Sequence, residues 1–373
     1  MEVVKKTSPY IRKKETSTTR MMIDVLISLL PVVAFSVYRF GTDALIRVIV
    51  SITVMIALEV LMIGFIKTPK EAASNKALEG NLWTRFLARY KHLRANNFIA
   101  PAVSGVIYAM LLPSTLSIYV LIVGAIFAIL VGKMVFGGFG QNIFNPAGLG
   151  RIFVGAFFGA ALTYTQTNDV IAGATPLGPL KDMLTVGSAN GGVQQLLTYY
   201  SFNDLFLGNI PGSMGEISKL AIIIGGIYLV VRKAADFRVM LSTIGAFAIM
   251  ILFAGMALNP ANPFEFLLAH LLTGGIIFGA VYMVTDPVTS PVTKPGRVLY
   301  GVIIGILAAL IRIFGSMPEG MAFAIMIVNM FVPLIDYYKW AKPKYTWQFA
   351  VVLGALILVC IPVFYFAAGG NIK

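Results

Sequence analysis

Cysteine is all but missing. The 373-residue chain has one, Cys360, inside an apolar run. One thiol excludes an iron–sulfur cluster held by four cysteines of this chain, and in that setting it reads as a small hydrophobe. Histidine is nearly as scarce. His92 and His270 lie far apart in sequence, a poor basis for haem ligation. Charged residues make up 12% of the chain, against about a quarter in a soluble domain. Acids are the scarcer sign, 16 against 29 Lys and Arg, so the net charge is +13. That balance raises the question of nucleic acid. The cations, however, fall at intervals between apolar segments and form no single patch, so no nucleic-acid partner is expected. If the chain moves electrons, an organic cofactor is the expected carrier.

What the chain has in abundance is apolar surface, at 58% of residues. Eleven apolar segments can be drawn: about 22–38, 43–66, 99–112, 116–133, 146–164, 217–231, 239–257, 264–285, 298–315, 319–336 and 346–368. Runs near 20 residues read as transmembrane helices, which predicts an all-α polytopic membrane protein. The first segment is a full span without a small-residue cleavage site, so no cleavable signal peptide is expected. The basic clusters are Lys5–Arg20, Lys67–Arg94, Arg232–Arg238, Lys294–Arg297 and Lys339–Lys344. Counting spans, all five share a side if the amino terminus is cytoplasmic. The largest opposite connection, 165–215, holds only Lys181 and is predicted to be external.

An internal repeat runs through the pattern. Gly105–Thr115 aligns without gaps on Gly279–Thr289, sharing Gly105/Gly279, Tyr108/Tyr282, Pro113/Pro287 and Thr115/Thr289. The copies close the third and eighth spans. An offset of five helices reverses direction, as in inverted-topology repeats. The predicted organisation is a basic cytoplasmic tail at 1–21 and a first five-helix repeat at 22–164. An external loop at 165–215 and a second repeat at 216–345 follow, with an appended helix and tail at 346–373.

Three stretches could carry chemistry. The first, Phe136–Arg151, is rich in glycine and breaks the helical pattern. Gly137 and Gly138 allow close backbone approach, and Asn142 and Asn145 offer donors and acceptors. It predicts a wall for a buried ligand or pore, the plain alternative being a tight helix–turn–helix. The second, Thr285–Arg297, places Asp286 and Thr289 at the end of an apolar span. An acid there is a functional candidate or a turn cap beside proline. Asp24 poses the same choice, and Glu216 reads as a cap. The third, Asp169–Gly178, contains Gly173, Ala174 and Thr175, a hydroxyl on a small-residue surface. Alone it is a turn.

Together these stretches resemble a known family. The Arg20–Leu26 opening, the Gly-Gly-Phe-Gly-Gln-Asn-Ile-Phe-Asn-Pro-Ala run, Gly173-Ala-Thr-Pro-Leu177, Gly212–Glu216, Thr285–Pro291 and Pro318–Gly320 occur in family order over residues 20–345. The chain resembles the RnfD/NqrB family. Its nearer likeness is to RnfD of the Rnf complex, the ion-translocating ferredoxin:NAD oxidoreductase. More distantly, it is similar to NqrB of the Na⁺-translocating NADH:quinone reductase. The resemblance implies a fold of two inverted five-helix repeats like urea transporters, in a prokaryotic plasma membrane. It implies FMN on Thr175 through a phosphoester, attached by a flavin transferase that recognises Asp169, Gly173 and Ala174. Ala172 stands where the family usually has Ser or Thr. It also implies the other proteins of the Rnf complex as partners, Na⁺ or H⁺ as the moved ion and, in some relatives, a noncovalent riboflavin. Asn142, Asn145, Gly137 and Gly138 are the candidate wall for that second flavin, and Asp286 and Thr289 candidate ion or flavin contacts. Two rival classes fit the residues: an inverted-repeat channel or carrier for a small polar solute, and a structural membrane anchor.

Overall fold

The computed structural model describes residues 17–66, 90, 93–162, 180, 191–315, 320–337 and 341–370. Every regular element among them is helical. Ser17 caps the first helix, its side chain accepting from the Arg20 N–H. Helix α1 (Thr18–Phe40) therefore begins well before Asp24, which sits inside it and is not a cap. Helix α2 (Thr42–Ile66) follows across Gly41, whose φ of +68° makes the corner. Helix α3 (Asn96–Met110) lies along α2. Helix α4 (Ile118–Ile129) runs straight into a π turn, Leu130–Met134. Helix α5 (Pro146–Phe157) starts with Asn145 as its cap and Pro146 in its first turn, where a missing N–H costs nothing.

The second part opens with two short helices, α6 (Gly191–Tyr199) and α7 (Phe202–Leu207). These belong to the stretch that the sequence presents as a polar external loop. Its end is not loose: Leu205, Ile210 and Met214 are buried. The N–H groups of Met214 and Gly215 donate to Leu112 O and Met110 O, closing the end of α3. Glu216 caps its own turn by accepting from the Ser213 N–H. Helix α8 (Lys219–Val231) packs on α1, and α9 (Phe237–Leu258) on α12 (Lys294–Phe314).

The segment expected as one span at 264–285 is broken. Helix α10 (Pro263–Leu272) and helix α11 (Ile276–Phe278), which continues as a π turn over Gly279–Met283, meet at a bend of 62°. Thr273, Gly274 and Gly275 make the break, and Gly274 takes a φ of +70°. Apolar residues flank those three on both sides, which hides the break from a hydropathy reading. Helix α13 (Met321–Ile335) packs on α12 and reaches α5, and α14 (Trp347–Gly370) lies on α9 and α12. Among the described residues, five helices, α1, α2, α9, α12 and α14, are long and apolar enough to cross a membrane, and six if the bent pair is one span. The described residues form only helices as regular elements, and the molecule is a multi-pass membrane protein.

Small residues set the closest approaches. Tyr282 Oη donates to Ser28 O at 2.7 Å, and it lies against Gly225 where a side chain would begin. We predict that Gly225→Val drives the Tyr282 ring off α1 and lowers the melting temperature in detergent sharply. Gly245 has nothing within 4 Å of its would-be side chain. Gly245→Ala should hold or raise the melting temperature, since alanine is the better helix former by about 0.5–1 kcal/mol.

Candidate functional site

One cavity collects three of the candidate residues, Asn142, Asn145 and Asp286. It offers about 70 Å³ to the centre of a water-sized sphere, room for about five waters. Met21, Met22 and Val25 of α1 and Ala100, Val103 and Ile107 of α3 form apolar walls. Polar groups come from Ser104 of α3, Lys133 of the π turn, Asn142 and Asn145, and Tyr282, Thr285 and Asp286. Mostly apolar walls with a few convergent polar groups are the usual make-up of a small-molecule site.

The glycine stretch explains how the asparagines get there. Gly137, Gly138 and Gly140 have φ of +110°, +88° and +83°. A side chain at these positions would strain the backbone. The turn they make lets the chain leave α4 and re-enter at α5. Asn145 Oδ1 accepts from the Ala147 and Gly148 N–H groups at 3.1 and 3.3 Å, and Asn142 Nδ2 donates to Phe144 O at 3.0 Å. So the amides are partly spent on the turn, as the plain reading requires, and still line the cavity. Gly137 and Gly138 do not. They border a neighbouring void with Glu59, Asn97 and Phe139.

Asp286 serves both readings left open for it. Its Oδ1 accepts from the Val288 N–H at 3.1 Å and its Oδ2 from Thr289 Oγ1 at 3.2 Å, so it caps the turn and lines the cavity. Thr289 is buried behind it and is not part of the lining. The segment that follows is strapped. Arg297 donates to Pro291 O at 2.9 Å and to Asp236 Oδ2 at 2.8 Å, and the Val292 N–H donates to Asp336 Oδ2 at 2.8 Å. Partial burial works against charge on Asp236. The hydrogen bonds from Arg297 and the Arg238 N–H outweigh it and hold this carboxyl below its usual value.

Two ion pairs, one of them buried on both sides, were not anticipated from the sequence. Lys133 Nζ lies 2.5 Å from Glu59 Oε2 with both side chains almost fully buried, and 5.5 Å from the Phe139 ring centre. Lys133 lines the cavity and Glu59 the neighbouring void, so the pair bridges the two. Asp24, 4% exposed, accepts from Tyr228 Oη at 3.1 Å and pairs with Arg232 at 3.2 Å, joining α1 to α8. The signal was present: Glu59 and Lys133 are charges inside apolar runs, which by default mark a site. His270 is buried against Phe266, away from that cavity. Asp169, Gly173, Ala174 and Thr175 lie outside the described residues, as do Pro318 and Glu319.

A family model described as NQR2, RnfD, RnfE matches residues 4–346. The D subunit of the Na⁺-translocating ferredoxin:NAD⁺ oxidoreductase complex of Acetobacterium woodii is 32% identical over 336 residues, covering 89% of this chain and 92% of that one. The B subunit of the Na⁺-translocating NADH-quinone reductase of Pseudomonas aeruginosa is 36% identical over 270 residues, covering 69% of this chain and 64% of that one. Its counterpart in Chromohalobacter salexigens is 35% identical over 242 residues, covering 63% and 57%. The chain thus spans about three fifths of the quinone reductase relatives and nearly all of the ferredoxin:NAD⁺ oxidoreductase relative. With a family match over almost its whole length, this chain belongs to the NQR2, RnfD, RnfE family.

Proposed function

We propose that the chain is the membrane subunit of an ion-translocating electron-transfer complex of the ferredoxin:NAD⁺ oxidoreductase kind. It carries electrons through FMN esterified to Thr175 and couples their passage to movement of Na⁺ or H⁺. The observation that carries this reading is the near-full-length similarity to the Acetobacterium woodii protein. The Asp169–Thr175 stretch adds the residues for a flavin transferase to recognise. The other proteins of the complex are its partners. It sits in a prokaryotic plasma membrane with the amino terminus cytoplasmic and the Thr175 loop external, as the distribution of Lys and Arg supports.

The fold we infer is two inverted five-helix repeats, urea-transporter-like, with α14 appended. Matching neighbourhoods support it. Helix α2 meets α3 and α4 as α9 meets α10 and α12; α4 meets α5 as α12 meets α13. Between the halves α1 meets α8 and α5 meets α13. Tyr108 and Tyr282, paired in the sequence repeat, both bond a backbone carbonyl and both seat the hydroxyl against a glycine, Gly124 and Gly225.

The lining suits a second, noncovalent flavin such as riboflavin in its chemistry, and a cavity with room for about five waters would have to widen to admit one. Apolar walls suit the ring faces. Asn142, Asn145 and Thr285 suit the polar ring edge, and the Lys133 ammonium favours negative charge there. When bound, a flavin supplies carriage of one or two electrons. Asp286 and Thr289 add the oxygens that a hard cation prefers. Asp286→Asn keeps an acceptor for the Val288 N–H but removes the charge. We expect it to fold and to lower the ions moved per electron, read in reconstituted vesicles. An unchanged ratio removes Asp286 from the coupling. The reading as a whole is tested by in-gel flavin fluorescence of denatured protein made beside a working transferase. A fluorescent band is expected; a dark one favours a solute carrier.

A further inference from the structure

The break between α10 and α11 has its own chemistry. A helix end leaves carbonyls that no helical N–H reaches. Here His270 O and Thr273 O accept from Arg312 Nη1 at 2.9 and 3.0 Å. Gly274 O accepts from Lys219 Nζ at 3.1 Å, and the same ammonium donates to Glu216 O. Lys219 is 0% exposed and Arg312 is 5% exposed. The Glu216 carboxylate borders the break, since a side chain on Gly275 would start 3.1 Å from its Oε2. Carbonyls from two chain segments and a nearby carboxylate therefore converge on the end of one lysine.

Oxygens at broken helices are where many membrane transporters hold a mobile cation. In this chain a compact point charge on a four-carbon stem sits among them. The stem begins at the first residue of α8, so the ammonium also ties the Gly212–Lys219 segment to the break. We propose that the α10–α11 break is a monovalent-cation site kept filled by the Lys219 ammonium. No free ion rests there in the natural chain, and any moved ion must use other groups. Shortening Lys219 vacates a space the size of an ammonium group, lined by Gly274 O and Glu216 O with the Glu216 carboxylate beside it. Such a space takes Na⁺ or methylammonium. The inference rests on neither Thr175 nor the cavity, so it stands or falls separately from the flavin reading.

The test uses the purified full chain in detergent, melted in sodium, methylammonium and choline chloride at equal ionic strength. Choline is too bulky for the space. Lys219→Ala should melt below the natural chain in choline and regain about 5 °C or more in sodium or methylammonium, beyond any shift of the natural chain. Lys219→Gln, whose amide ends one bond short of the ammonium position but fills most of the space, should gain less from sodium or methylammonium than the alanine variant does. The proposal is overturned if the alanine variant responds like the natural chain, or if the glutamine variant gains the same rescue. It is equally overturned if the alanine variant unfolds in all three salts while the glutamine variant folds.

Discussion

Thr175→Val should remove covalent flavin from the chain and leave the bundle folded. Valine keeps the shape of threonine and deletes the one atom an ester needs. The full chain, made beside a flavin transferase and denatured, should lose all in-gel fluorescence. Its elution volume and melting temperature should stay within error of the natural chain. Thr175→Ser, which restores a hydroxyl, should recover part of the signal. Ala172→Ser tests the departure from the family pattern and should raise the flavinylated fraction if that residue aids the transferase. Fluorescence that survives in the valine variant would move the attachment elsewhere.

Lys133→Met destabilises the bundle more than any single surface change. Burying one charge of an ion pair without its partner costs about 3–5 kcal/mol, a fall in melting temperature on the order of 10 °C. Glu59 and Lys133 meet at 2.5 Å with both side chains almost fully buried, so solvent screening gives little relief. Replacing both, as Glu59→Leu with Lys133→Met, removes the burden from each side. We expect the double variant to recover most of the lost stability. Melting curves of the two single variants, the double and the natural chain form the cycle. A double variant no more stable than Lys133→Met alone would mean the pair is not the source. The stable double variant then isolates function. Lys133 lines the cavity, so noncovalent flavin should be lost from the double variant even though its fold is kept.

Much of the architecture was readable because lipid imposes it. Most apolar runs became helices near their drawn bounds, though the one drawn at 146–164 ends at Phe157, and Asn145-Pro146 marked the start of α5 by the missing proline N–H and the cap beside it. The glycine turn was readable for a similar local reason, since three positive φ values need three glycines. The break at Thr273–Gly275 was not, because apolar residues continue on both sides and hydropathy averages across it. The fate of 191–215 was hidden as well. Its apolar residues come in short groups broken by polar ones, none long enough to read as a span, and Met214 and Gly215 bond the end of α3 from more than a hundred residues away. Pairing is the general obstacle. Asp24 could be seen as an acid near a span, but only the fold brings Arg232 and Tyr228 to it. Glu59, Lys133 and Lys219 are legible as charges in apolar surroundings, and their partners are not legible at all.

The central claim is that the loop threonine holds FMN. Peptide mapping by mass spectrometry, on protein taken from its own membrane with the complex intact, tests it most directly. The account predicts that the peptide containing Thr175 carries the mass of FMN less one water, with fragment ions placing it on that residue. A Thr175 peptide found only unmodified contradicts the account and leaves a helical membrane carrier without its redox group.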